Sequence, residues 1–349
     1  MKTQNDTQPY YFTYKNKGLL GVLNLLNKEA SNNLLLRLLL KLDLKYFVIL
    51  RFFRHIAEIE KDIDKNGADV QMTKLYEKLG LRLEIFNSFE NGNMDRRKGL
   101  LIYGVNHPAV IEGFLLLTIL RQKKIKMLGN IMYYYLGKNL SRFLSPVVPR
   151  KSTPSASNLI LKNFSPLILF NKAEIMDDKQ RRELNLNTLR DSAKVLEKGG
   201  VVVIFPAGAG DERTKWRGGL SKIIMNVSED KRDDIIIVPV YFSGLGSKRM
   251  LLRIFKAYRG FKLKILRVGI YFGRERRLSE IYEMFGNKVK ENKILDYLKR
   301  DAFSQFGLKE FPIRNYLYPK YYPKAVSSGY NLASRFLIRI ITIVGLIEK

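Results

Sequence analysis

A histidine and a carboxylate in the segment 106–113 have the types and spacing that acid–base chemistry requires. His107 is one of only two histidines in the chain, and Glu112 follows it by five positions. A neutral imidazole accepts a proton near neutral pH, and a carboxylate on its other ring nitrogen fixes the tautomer and stabilises the imidazolium. The pair therefore predicts His107 as a general base and Glu112 as the group that orients it.

The residues around this pair predict a junction between a strand and a helix. An apolar run at 100–105 is typical of a buried strand, and the run at 114–120 is typical of a helix with Pro108 in its first turn. A position directly after a strand favours a functional role. A satisfied core or capping histidine is the open alternative. His55 lies in a Leu- and Phe-rich helix and is expected to be structural or interfacial.

The sequence offers this base no protein nucleophile. The chain has no cysteine, and no serine lies in a Gly-x-Ser-x-Gly elbow. It also lacks a P-loop and a complete dinucleotide fingerprint. With two histidines and no cysteine, we expect no zinc site. The nucleophile is therefore expected to be a hydroxyl of an acceptor substrate.

A second candidate segment is the loop that follows the apolar run at 201–205. Glycine lets backbone N–H groups approach an anion, and arginine binds phosphate with two parallel hydrogen bonds. The loop therefore predicts a substrate-binding segment, with a tight turn carrying solvated charges as the alternative. Trp216 is expected on an acyl chain or at a membrane interface. The candidate binding residues of the loop are Pro206, Gly208, Arg213, Lys215 and Arg217.

With these segments in place, residues 81–275 resemble the phospholipid/glycerol acyltransferase family, which includes lysophosphatidic acid acyltransferases. Residues 106–113 are similar to the family's Asn-His-x-x-x-x-Asp-Gly block. Three further blocks follow in the family's order: Val-Val-Pro-Arg at 147–150, Ile-Phe-Pro-Ala-Gly at 204–208 and Val-Pro-Val at 238–240. Each block is short, and the signal lies in their order.

The resemblance implies transfer of an acyl group from acyl-CoA or acyl carrier protein to a hydroxyl of a lysophospholipid or glycerol-phosphate-type acceptor. His107 would deprotonate that hydroxyl, and Glu112 would orient His107. Asn106 would belong to the substrate-binding block. Arg150 and a basic residue of the loop would hold the acceptor phosphate. No cofactor beyond the acyl thioester is implied.

Three positions depart from the family pattern. Glu112 stands where the family has aspartate, Ala207 replaces the glutamate of the Phe-Pro-Glu-Gly block, and Gly210 stands where that block usually carries arginine. The departures concern the identity of the acceptor more than the acyl-transfer chemistry, since His107 is present. They also motivate an alternative, a catalytically drifted lipid-binding relative. Gain of activity in Ala207→Glu with Gly210→Arg would identify such decay.

Net charge indicates a polyanionic partner. The chain carries a net charge of +29, and its pI is about 10.0. The segment 248–277 contributes eleven basic residues and one acidic residue, Glu275. An anionic membrane surface and nucleic acid are both compatible with such charge. No recognition motif for nucleic acid accompanies it, so a nucleic-acid-binding protein is the weaker alternative and no nucleic-acid partner is expected.

Both ends of the chain predict helices at a membrane interface. Residues 18–56 and 334–347 are apolar runs interrupted by single basic residues, including Arg37, Arg51 and Arg54. Packing of these helices on the protein's own core is the alternative. No stretch of 18 uncharged apolar residues and no secretory signal is evident. We therefore expect a peripheral or monotopic protein on the cytoplasmic face of a membrane.

Strand and helix patterns alternate along the centre of the chain, which predicts an α/β fold. We expect a mixed, largely parallel central sheet flanked by helices. Pro239 is expected to mark a strand end or an edge. Three regions are predicted: an N-terminal helical, membrane-associating region at 1–79, an acyltransferase domain at 80–277 and a C-terminal helical extension at 278–349. The predicted strands lie at 81–86, 100–105, 125–128, 201–205, 235–242 and 263–272, and the predicted helices include 57–79 with a break at Gly67, 183–198 and 278–303.

Overall fold

A computed structural model describes nine stretches of the chain. They are residues 9–32, 34–42, 49–86, 98–107, 111–120, 124–134, 136–148, 177–208 and 216–308. Pro108 and Arg150, the loop residues Gly210, Arg213 and Lys215, and the apolar run at 334–347 lie outside the described residues.

The strands form one eight-stranded sheet. Its order is β1-β7-β6-β2-β5-β3-β4, with the short β8 paired to β6. All pairs are parallel except those that β7 and β8 make with β6. This arrangement confirms the predicted mixed, largely parallel sheet. The strands are β1 (Leu81–Phe86), β2 (Gly99–Gly104), β3 (Ile125–Asn130), β4 (Leu144–Val147), β5 (Val201–Ile204), β6 (Ile235–Ser243), β7 (Leu266–Phe272) and β8 (Arg276–Arg277).

Helices cover the sheet. A 3₁₀ helix at Glu229–Asp234 precedes β6. None of the described helices combines the length and hydrophobicity that crossing a bilayer requires. The α-helices are α1 (Pro9–Asn32), α2 (Leu34–Leu42), α3 (Ile49–Asn66), α4 (Ala68–Lys78), α5 (Glu112–Ile119), α6 (Ile131–Tyr134), α7 (Lys138–Ser141), α8 (Asp178–Glu197), α9 (Gly219–Met225), α10 (Ser247–Tyr258), α11 (Leu278–Phe285) and α12 (Glu291–Gln305).

β2 lies at the centre of the sheet and is buried along its whole length. Its residues alternate between two apolar cores, with Leu100 and Ile102 in one and Leu101 and Tyr103 in the other. Residues of α3, α4, α5 and α10 complete the first core, and residues of α8, α9, α11 and α12 complete the second. A strand buried on both faces reads as a continuous apolar run, which is the pattern at 100–105.

The carboxyl ends of three central strands meet at one edge of the sheet. Tyr103 of β2 is in register with Ile204 of β5 and with Pro239 of β6, and all three strands run in the same direction. Open α/β sheets bind ligands outside the carboxyl ends of their strands. The segments that follow β2 and β5 are those that carry His107 and the predicted phosphate-binding loop.

Two details differ from the sequence predictions, and a third agrees with them. Pro239 lies inside β6. A proline is tolerated there because β8 pairs with β6 up to Ile237 and β7 pairs from Val240, so no partner strand needs the N–H that proline lacks. The predicted helix at 278–303 is two helices, because Gly286 has φ 76° and ends α11. The predicted break at Gly67, with φ 82°, is confirmed.

The helices α11 and α12 share a core with the central strands. Leu278, Ile294 and Leu298 pack in the same cluster as Leu101 and Val202. Arg276 of β8 donates hydrogen bonds to both carboxylate oxygens of Asp301 on α12, at 3.0 and 2.6 Å. Residues 278–308 therefore pack as one layer of the α/β structure. The proposed boundaries at residues 80 and 278 stay sequence-based predictions.

Candidate active site

The structure brings His107 and Glu112 together. The His107 Nδ1 and the Glu112 Oε2 lie 2.7 Å apart. The helix that carries the carboxylate begins at Glu112, with Ile111 as its N-cap. The contact therefore joins a residue just beyond β2 to the first turn of α5, where the helix dipole stabilises a negative charge.

The two side chains of this pair differ in their exposure to solvent. The Glu112 side chain is fully buried, whereas 14% of the His107 side chain is exposed. The geometry at 2.7 Å is bent and falls short of a well-directed hydrogen bond. Such contacts in a ligand-free site commonly tighten when substrate binds. A hydrogen bond from Nδ1–H to the carboxylate would leave Nε2 as the ring nitrogen that accepts a proton.

Asn106 fixes the backbone immediately before the histidine. Its Nδ2 donates to the Phe242 carbonyl oxygen at 2.8 Å, and its Oδ1 accepts from the Phe242 backbone N–H at 2.9 Å. The Asn106 side chain is buried, and both ends of its amide are occupied by β6. This arrangement anchors the end of β2 to β6. Its role in binding substrate stays a prediction.

An aromatic ring packs on the imidazole. Phe205 directly follows β5, and its ring stacks on His107 with centroids 4.2 Å apart and planes inclined by 21°. Gly104 leaves room for the ring. A Cβ at Gly104 would lie 2.1 Å from the Phe205 Cδ1. The imidazole is thus held by a carboxylate at one nitrogen and by an apolar ring on its face.

The described part of the predicted loop forms a tight turn. The Gly208 N–H donates to the Phe205 carbonyl oxygen, and the Arg217 N–H donates to the Pro206 carbonyl oxygen, both at 2.9 Å. Gly208 has φ 67°, a conformation that favours glycine. Pro206 is buried and Arg217 is exposed. The turn therefore places an exposed guanidinium group beside a backbone segment that begins at the same sheet edge as His107.

Two neighbours of this loop are core residues. Trp216 is 4% exposed and contacts Tyr103 and Phe303 edge to face, so the expectation that it meets an acyl chain or interface is wrong. Ala207 is also 4% exposed and packs in the same apolar cluster. The single-sequence pattern missed both because a loop flanked by charged residues does not reveal which of its side chains turn inward.

Sequence reasoning also missed Tyr76 on α4. Its side chain is buried in the core that α5 shares, and its hydroxyl has no hydrogen-bond partner among the described residues. Burial raises the pKa of Tyr76 well above its usual range, and the negative charge of Glu112 raises it further. Tyr76 and Glu112 are distant in the sequence, and no motif links them.

The fold and the site define an α/β protein with a histidine–carboxylate pair at the carboxyl edge of its sheet. Among the described residues, no group of three or more carboxylate or histidine side chains is placed to hold a metal ion. Neither protein-family models nor curated proteins match this chain. Function is therefore inferred from the residues of the site and their geometry.

Proposed function

We propose that this protein is an O-acyltransferase that moves an acyl group from an acyl thioester to a hydroxyl of a lysophospholipid or glycerol-phosphate-type acceptor. The contact between His107 and Glu112 is the observation that carries the proposal, because it leaves one imidazole nitrogen to act as a base. The proposal also draws on the four sequence blocks that resemble the acyltransferase family.

The proposed reaction needs no nucleophile from the protein. The Nε2 of His107 takes the proton from the acceptor hydroxyl as its oxygen attacks the thioester carbonyl carbon. The C–S bond then breaks, and the thiol leaves with the proton that His107 had taken. General-base assistance of this kind contributes about 10²–10⁴ in rate. The Glu112 carboxylate stabilises the imidazolium in the intermediate state.

We assign binding of the acceptor phosphate to Arg150 and to the loop that follows β5. Arg150, Arg213, Lys215 and Arg217 are the proposed ligands of the acceptor phosphate. Holding both substrates in reactive geometry supplies much of the remaining rate enhancement. We further propose acyl-CoA or acyl carrier protein as the donor.

Membrane association at the cytoplasmic face accompanies this function. Exposed apolar side chains on α2 support it, since Leu34 is 79% and Leu38 is 51% exposed beside the exposed Arg37. An amphipathic surface of this kind suits the headgroup region of an anionic bilayer. The proposed position is peripheral or monotopic, with α1–α3 and the segment 334–347 at the interface.

The test is acyl transfer by the purified full chain. Protein in detergent or anionic vesicles is given radiolabelled acyl-CoA, or acyl carrier protein loaded with the acyl group, together with a panel of lysolipids and glycerol 3-phosphate. We expect a labelled lipid product from the wild type and loss of at least about 10²-fold in His107→Asn. Circular dichroism must show that the variant is folded. Wild-type turnover by His107→Asn would refute the mechanism.

The loop assignment has its own control. Arg217→Gln should raise KM for a phosphorylated acceptor, because the substitution removes a charged phosphate ligand. Arg190→Gln, which changes an exposed arginine on α8, is the matched control. Equal effects of the two substitutions would remove Arg217 from the proposed acceptor site.

A further inference from the structure

A cavity of about 340 Å³ opens between α3, the end of α4 and the end of α10. None of its lining residues belongs to the set around His107. All but one are polar or charged, and basic side chains outnumber acidic ones. The lining residues are Arg51, Arg54, His55, Glu58, Lys78, Ala257 and Tyr258.

Positive charge in this cavity exceeds negative charge. Arg51, Arg54 and Lys78 are basic side chains, and Glu58 is the single lining carboxylate. Within the described residues, no carboxylate forms an ion pair with any of the three cations. Such an excess around a concave surface attracts an anion.

The three cations retain donors that their present contacts do not use. Within the described part of the chain, Arg51 donates one hydrogen bond, to the Tyr258 carbonyl oxygen at 3.3 Å, and Arg54 donates one to Asn27 Oδ1 at 3.4 Å. The Lys78 ammonium lies 4.4 Å from the centre of the Tyr258 ring. An arginine has five N–H donors and a lysine has three. Several donors therefore remain for a ligand with multiple acceptor oxygens.

Tyr258 and His55 form a fixed wall of the cavity. Tyr258 is 6% exposed, its ring packs edge to face on Phe52, and its hydroxyl bonds to the His55 Nδ1. Burial lowers the pKa of His55, and the neighbouring Lys78 lowers it further, while Glu58 acts in the opposite direction. The negative charge of a bound anion beside the ring would favour the imidazolium and raise this pKa.

The cavity lies at the same sheet edge as His107. Lys78 ends α4, and β1 starts at Leu81. β1 runs parallel to β7, and β7 runs antiparallel to β6, so the first residue of β1 lies where β6 and β2 end. The nearby segment after α10 also exposes Phe261 and Ile265, 55% and 68% accessible, among basic side chains. These basic side chains are Arg259, Lys262 and Lys264.

We propose that this cavity is an anion site for a phosphate group, held by Arg51, Arg54 and Lys78 with His55 as a fourth donor. A phosphate offers the acceptor oxygens that these donors match, and arginine binds it with two parallel hydrogen bonds. The group can be carried by a lipid headgroup or by a soluble phosphate compound. This site is separate from the proposed acyl-transfer chemistry and does not require it.

The first experiment follows the His55 imidazole by NMR. Full-length His107→Asn is used because it leaves His55 as the only histidine, and because it isolates binding from turnover. Inorganic phosphate is added at constant ionic strength, with chloride as the reference salt. We expect phosphate to raise the titration midpoint of His55. Because protonated His55 then binds phosphate more tightly, phosphate affinity should increase as the pH falls through that midpoint, after correction for the protonation of phosphate itself.

Charge-removing variants locate the site. Arg54→Gln and Lys78→Gln should each weaken phosphate binding about tenfold, the effect expected when a charge-assisted hydrogen bond is lost. Lys290→Gln, an exposed lysine outside the cavity, is the matched control and should bind as the parent does. Unchanged affinity in the combined Arg54→Gln and Lys78→Gln variant would overturn the proposal.

Vesicles identify the source of the phosphate. Vesicles of phosphatidic acid in phosphatidylcholine are compared with phosphatidylcholine alone, each with the parent and the combined variant. A headgroup site is supported if phosphatidic acid vesicles shift the His55 midpoint and if binding to them is weaker in the combined variant than in the parent. The same response to inorganic phosphate without a vesicle response supports a soluble ligand. The absence of any His55 shift with both probes would refute the anion site, whatever the outcome of the acyl-transfer assay.

Discussion

Phe205 stacks on the His107 imidazole with centroids 4.2 Å apart, and the ring occupies the space left by the missing side chain of Gly104. The two residues come from segments that follow neighbouring parallel strands, β2 and β5. The position of the proposed base therefore depends on a glycine inside the central strand. This dependence gives the first prediction.

Gly104→Ala should impair activity by displacing Phe205. The added methyl group would lie 2.1 Å from the Phe205 Cδ1, so the ring must move. We expect a loss of about 1–3 kcal/mol in the free energy of unfolding. Acyl transfer should fall on the order of 10²-fold, the cost of misplacing a catalytic group by an ångström. Urea unfolding and steady-state kinetics measure the two effects.

Gly129→Ala provides the matched control for that substitution. Gly129 lies in β3 of the same sheet, and a Cβ there would meet its nearest neighbour, Leu144 Cδ2, at an ordinary 3.6 Å. This variant should retain activity. If Gly104→Ala and Gly129→Ala behave alike, the stack of Phe205 on His107 does not position the base.

Glu112→Gln should reduce kcat while leaving the protein folded. Glutamine conserves the volume but removes the charge that would stabilise the His107 imidazolium. We expect kcat to fall roughly 10²–10⁴-fold with a smaller change in KM. Removal of the buried charge should not destabilise the fold strongly, since the imidazole that remains can be neutral.

Two comparisons make the Glu112 result specific. Glu84→Gln alters a partly buried carboxylate on β1 that pairs with Arg267 at 3.4 Å, and it should leave kcat unchanged. Glu112→Asp introduces the residue typical of the resembled family and should retain more activity than Glu112→Gln. Equal kcat values for Glu112→Gln and the wild type would exclude Glu112 as the group that positions the base.

Asn106→Ala should destabilise the fold at the end of β2. The substitution leaves the buried N–H and C=O of Phe242 without their side-chain partner. Each unsatisfied group costs about 1–3 kcal/mol. Asn226→Ala, which removes one exposed hydrogen bond to the Lys222 carbonyl oxygen, should cost far less. Denaturant unfolding of both variants tests whether the Asn106 amide is a structural anchor.

The sequence predicted the central architecture because buried parallel strands have a simple pattern. The runs at 100–105, 201–205 and 235–242 are nearly continuous in apolar residues, and each forms a strand within one or two residues of the expected bounds. The pairing of His107 with Glu112 was also predictable, because both residues lie in one short segment. Local patterns of this kind carry their own information.

Long-range contacts account for what the sequence did not predict. The amide of Asn106 bonds to Phe242, 136 positions later. Phe205 contacts His107 only because β5 lies beside β2 in the sheet. Pro239 lies inside a strand only because β8 and β7 leave a gap at its position. Each of these contacts depends on the order of the strands in the sheet. That order cannot be predicted from the hydrophobic pattern of a single segment.

Ala207→Glu should destabilise the protein rather than restore a binding group. The resembled family carries glutamate at this position, but Ala207 is 4% exposed and packs among apolar residues with Tyr103 and Trp216. An unpartnered carboxylate in such a core is among the most costly single substitutions, and we expect a loss of roughly 3 kcal/mol or more near neutral pH.

Burial would raise the pKa of the new carboxyl group in the folded protein. The destabilisation should therefore diminish as the pH falls toward about 4.3, where the unfolded chain also binds the proton. Thermal unfolding of Ala207→Glu and of the wild type between pH 4.5 and pH 7.5 measures this difference, with Ala207→Gln as the uncharged control. A variant as stable as the wild type at both ends of that range would mean that position 207 accommodates a carboxylate. A glutamate at this position, as in the resembled family, could then take part in the site.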